Sequence, residues 1–123
     1  MRGWLWSSKQ DSVAQETCTR LVGERMTHLR RCSSDDLSAL PEHSTEIVSV
    51  AGRTFHLSQY HSTTLAGVHW FMVDAGPTSR FWVYKILAAQ GFSLEPGGAR
   101  DLSAEELEWF DEVAQWPPKK ANL

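Results

Sequence analysis

Apolar positions along the chain change their period twice. Between residues 13 and 30, Val13, Leu21, Val22, Met26 and Leu29 lie near one stripe at helical spacing, with Arg20, Glu24 and Arg31 off it. This predicts a helix over about 13–30, opened by a capping box in which Ser12 and Gln15 serve each other's backbone N–H groups. Residues 32–44 mix helix-stopping and turn-forming residues and read as a connector, with one short turn over 36–40 before Pro41. From Thr45 the period becomes that of strands, which are expected over 46–50, 53–61, 68–73, 81–87 and 92–94. Ala51-Gly52 suits a two-residue hairpin turn, and looser turns are expected over 62–67, 75–78 and 95–98. Helical spacing then returns. Ser103 and Glu106 form a second capping box, Leu102 is placed to staple onto Leu107, and Phe110, Val113 and Ala114 continue the stripe to Pro117-Pro118.

Parity along the strands carries the main architectural inference. The 53–61 stretch alternates, with Phe55 and Leu57 on one side and His56, Ser58 and Tyr60 on the other. Runs 68–73 and 81–87 do not alternate, so both of their faces must be covered. The terminal helices, closure into a barrel or a second subunit would each supply cover. Helix-forming residues at 88–90 and Gly91 offer a competing helical reading of 80–90, but five of the six residues at 81–86 are β-branched or aromatic, which favours a strand. The predicted fold is therefore α+β: an N-terminal helix, an antiparallel meander of four to five strands and a C-terminal helix. Residues 1–10 are expected to be a flexible terminus, 11–118 a single domain and 119–123 a tail, and Met26 is an alternative start. A helix followed by short bent strands also resembles the Sm-like barrel, although the glycine and Asn-Asp signatures of Sm proteins are missing.

Charge narrows the choice of partner. The chain of 123 residues carries a net −3, yet residues 1–31 hold six cations against three anions, while the remainder holds six against twelve. An acidic body repels a phosphate backbone, so nucleic acid is disfavoured as a partner; the basic N-terminal segment is the better charged contact, and rings such as Phe71, Trp82 and Tyr84 near Arg53, Arg80 or Lys85 could stack bases. Two cysteines, Cys18 and Cys32, lie roughly 20 Å apart if one helix carries both, beyond disulfide reach. Two free thiols and the lack of any long apolar run suit a cytoplasmic protein without a membrane contact.

Candidate chemistry is sparse. His61 and His69 meet across the hairpin if residue numbers of strands 53–61 and 68–74 sum to 130, a pairing that also sets His56 opposite Asp74. Two imidazoles are a weak start on a metal site, since structural zinc takes four ligands and catalytic zinc three with a water. No nucleophile elbow or phosphate loop is present, so no catalytic residue, metal or cofactor is expected. Six Trp among the aromatics is a high count for this length and points to contacts with a protein, either a partner or a second copy. Trp70, Trp82, Tyr84, Trp109 and Trp116 are the candidate anchors. The leading expectation is a non-enzymatic interaction or regulatory domain that self-associates. A small nucleic-acid-binding barrel and a histidine-based metal enzyme follow.

Overall fold

A computed structural model describes the backbone over residues 2–78 and 86–112 and the side chains over 12–78 and 86–108. The elements run α1 (Arg2–Arg30), α2 (Ser34–Ser38), β1 (His43–Val50), β2 (Arg53–Thr63), β3 (His69–Pro77), β4 (Ala88–Glu95), β5 (Gly98–Asp101) and α3 (Ala104–Glu112). The five strands form one antiparallel sheet in chain order, with β1 and β5 at its two edges. The α+β arrangement and the meander match the expectation. The barrel alternative does not hold, because the sheet is open.

The α1 helix packs on one face of the sheet. Ala14, Cys18, Leu21, Val22, Met26 and Leu29 are buried on it and join Phe55, Leu57, Phe71, Val73, Ala75 and Phe92 from the strands in one core. Each large side chain so buried contributes about 1.5–3 kcal/mol relative to an exposed one. Val13 was expected on this stripe and is instead 55% exposed, because the stripe runs through Ala14 and Cys18, one position out of phase with it. The helix also reaches back to Arg2, so Ser12 and Gln15 lie inside it and cap nothing. The Gln15 amide instead donates to the Leu87 carbonyl.

On the opposite face the start of α3 packs against β4. Gly91 pairs with Met72 and so points away from α1. A Cβ at position 91 would lie 2.6 Å from the Phe71 carbonyl oxygen, 2.7 Å from Leu102 Cδ1 and 3.3 Å from Leu107 Cδ2. Only glycine lets the start of α3 sit this close to β4. Helix α3 opens as expected: the Glu106 N–H donates to Ser103 Oγ at 3.1 Å, and the Ser103 N–H donates to Glu106 Oε1 at 2.8 Å. Its expected continuation through Val113, Ala114 and the two prolines lies outside the described residues.

Ala51 and Gly52 do turn the first hairpin, with φ of 51° and 81°, the positive pair that a type I′ turn needs. Strand β3 is buried at every position from Trp70 to Gly76, as its lack of alternation implied. Positions 81–85 of the expected fourth strand lie outside the described residues, and Ile86 and Leu87 only lead into β4, which begins at Ala88. The helix-friendly Ala88-Ala89-Gln90 is strand because it pairs with Val73, Asp74 and Ala75 of buried β3, and tertiary pairing outweighs local preference. Residues 98–101, expected to lie at or beyond a turn, form β5 after the two-residue connection Pro96-Gly97.

Candidate functional site at the polar face and open edge

Strands β2 and β3 place histidines on both faces of the sheet. Their register pairs Thr63 with His69, His61 with Phe71 and Ser58 with Asp74, so partner numbers sum to 132. The expected pairs are thus displaced by two residues. A shift of two preserves parity, so each pair stays on one face and meets diagonally.

On the α1 face, His61 Nδ1 donates to the Leu40 carbonyl at 3.0 Å. That fixes the tautomer, and in the neutral ring Nε2 accepts from His69 Nδ1 at 2.8 Å. The His61 ring also stacks on Phe71 at 4.7 Å. The structure therefore brings the two candidate metal ligands together, but their facing nitrogens are occupied by each other. Among the described residues, no group of three or more His, Cys, Asp or Glu gathers to hold an ion. The pair reads as a tie between the connector and the sheet.

On the other face, His56 and Asp74 are buried, with His56 Nδ1 3.9 Å from Asp74 Oδ1. They sit in the floor of a cavity of about 270 Å³ lined also by His43, Thr45, Ser58, Tyr60 and Ile86. Thr45 Oγ1 shares hydrogen bonds with Ser58 Oγ at 2.8 Å and His43 Nε2 at 2.9 Å, and the His43 ring lies flat on Tyr60 at 4.7 Å. These contacts order the inner side of β1. They hold His43 and Thr45 in place beside the cavity, and Ile47 follows them on the same face of the strand.

Outward, no strand pairs with β1 among the described residues. Its residues from His43 to Ile47 are all exposed, Ile47 is 61% exposed, and no proline interrupts the strand. An edge of this kind presents a row of N–H and C=O groups to any strand that can pair with it. Among the described residues, Glu46 is the side chain of β1 held by an ion pair, to Arg25 of α1, which also donates to Gln59 at 3.1 Å.

The aromatic candidates separate. Trp70 is 4% exposed and lies in the sheet opposite Ser62 and Ser93, so the folded chain does not display it. Trp82, Tyr84 and Trp116 lie outside the described residues, as does the side chain of Trp109 on α3. The surface that sequence reasoning missed is β1 itself: Ile47 stands between Thr45 and Ser49 on its face, and its exposure follows only from the place of β1 at the sheet edge. Cys18 and Cys32 are free thiols, and burial pushes the Cys18 thiol up against a smaller opposing pull from Arg53. No described helix is long and apolar enough to cross a membrane. Comparison with protein-family models, with curated proteins and with solved structures finds no match to this chain.

Proposed function

We propose that this chain is a non-enzymatic protein-interaction domain that self-associates through the outer edge of its sheet. The observation that carries the reading is β1: eight residues, proline-free, with Ile47 61% exposed in the middle of it. Strand addition supplies main-chain hydrogen bonds for affinity, and alternate side chains for selectivity. The cavity beside β1 gives that contact a shaped neighbour, since His43 and Thr45 belong to both. His61 and His69 act as a structural tie, which leaves the sheet a scaffold for binding. The two free thiols support a reducing, cytoplasmic setting.

Light scattering of the purified full chain over a wide concentration range tests the proposal. A mass that rises from one chain to two with concentration is expected. A single-chain mass throughout would overturn self-association.

A further inference from the structure

We propose that two copies join β1 to β1 in antiparallel register about a two-fold axis through Ile47, so that the two five-stranded sheets become one continuous sheet. The inference rests on the self-association proposed above and adds which residues meet.

Backbone direction comes first. In a two-residue type I′ hairpin the flanking residues, here Val50 and Arg53, exchange both of their hydrogen bonds. Even-numbered β1 residues therefore bond to β2, and the Glu42 carbonyl continues the alternation by accepting from the His61 N–H at 3.0 Å. The N–H and C=O groups of His43, Thr45, Ile47 and Ser49 consequently point outward.

Symmetry then limits the register. A two-fold axis perpendicular to a sheet makes the strands antiparallel and keeps the same face up. Directly opposed residues share a face, so each β1 residue must meet one of its own parity. Two registers keep nearly the whole strand paired. One sets Glu46 against Glu46 of the second copy, with Ile47 against Thr45. The other sets Ile47 against Ile47, Thr45 against Ser49, and Glu46 against Val48.

Side-chain chemistry decides between them. Like charges directly opposite destabilise a sheet, whereas paired β-branched residues stabilise it. The Glu46 register brings two carboxylates together at the axis. The Ile47 register withdraws the most exposed apolar side chain of the strand from water, sets two hydroxyls against each other, and leaves Glu46 beside its Arg25 partner. Complementarity in the strand's own sequence is what makes a second copy the occupant.

Single cysteines read the register. The variants Ile47→Cys, Thr45→Cys and Ser49→Cys are made with Cys32→Ser, leaving only the buried Cys18 thiol. Opposed residues of a hydrogen-bonded pair have Cα atoms about 5.5 Å apart, within disulfide reach, so under mild oxidation Ile47→Cys should cross-link roughly tenfold faster than either neighbour alone. A mixture of Thr45→Cys and Ser49→Cys chains should cross-link with each other. If the parent protein dimerises but Ile47→Cys is no faster than the other two, this register is wrong while self-association stands. If the parent protein is monomeric at every concentration, the broader reading fails and the register fails with it.

Discussion

The two edges of the sheet are built on opposite plans. Strand β5 has four residues, all exposed, and its two charged side chains are tied by ion pairs to neighbouring elements. Arg100 reaches Glu95 at 2.8 Å and Glu106 at 3.2 Å, and Asp101 pairs with Arg30 of α1, whose guanidinium also lies 5.0 Å over the Phe92 ring. Shortness and charge are the usual means of blunting an edge against further pairing. Strand β1 has twice the length and no charge at its centre but Glu46. One edge is blunted and the other is available, an asymmetry that would direct the proposed association to a single side and hence to closed dimers rather than fibres.

Several substitutions would break or sharpen this contrast, starting with the largest effect. Gly91→Ala drives a methyl group into the Phe71 carbonyl and Leu102, unseating α3 from the β4–β5 side. Overpacking of this kind costs about 1–3 kcal/mol, read as a lower urea midpoint. An unchanged midpoint would show that α3 does not depend on that contact. Ser103→Ala removes the cap that starts α3 and should cost about 1 kcal/mol in the same assay, with Ser103→Asp restoring most of it.

Acid titration probes the blunted edge more gently. Burial pushes the Glu106 carboxyl up, but the Arg100 guanidinium and the Ser103 N–H outweigh it and hold that carboxyl below its ordinary value. A group depressed in the folded state stabilises fully above its unfolded pKa, and that contribution disappears as pH falls through the folded value. The parent should therefore lose stability on acidification below the usual carboxylate range. Glu106→Gln should flatten that part of the profile, and an identical acid slope in both proteins would show that Glu106 does not contribute to it. Arg100 is held firmly protonated by the same two carboxylates, Glu106 first and Glu95 second, so its charge persists across this range.

Much of the architecture was legible where local chemistry and tertiary packing agree. Ala51-Gly52 supplied the hairpin, Ser103 and Glu106 opened α3, and the unbroken apolar run from Trp70 to Val73 signalled a strand buried on both sides. Register was less legible, because the loop from Thr64 to Val68 is closed by specific bonds. The Val68 N–H donates to Thr64 Oγ1 at 3.0 Å and the Thr64 N–H to the Val68 carbonyl at 2.8 Å, which extends β2 to Thr63 and moves every partner by two. Strand β5 left no periodic trace, since a strand exposed on both faces has no reason to alternate. The candidate surface stayed hidden for a related reason. Trp70 looked like an anchor by residue type, yet burial took it out of reach, whereas Ile47 stood out only once the strand order placed β1 at an edge.

The contrast between edges is tested most directly by placing one lysine on each and measuring association by sedimentation equilibrium. Ile47→Lys sets two like charges at the proposed axis, and Ala99→Lys adds the same charge to exposed β5. Both are surface changes that should leave folding stability within about 0.5 kcal/mol. Self-association through β1 predicts that Ile47→Lys weakens dimerisation at least about tenfold, roughly 1.4 kcal/mol, while Ala99→Lys dimerises like the parent. Equal dimerisation by all three proteins, or loss only in Ala99→Lys, would contradict it.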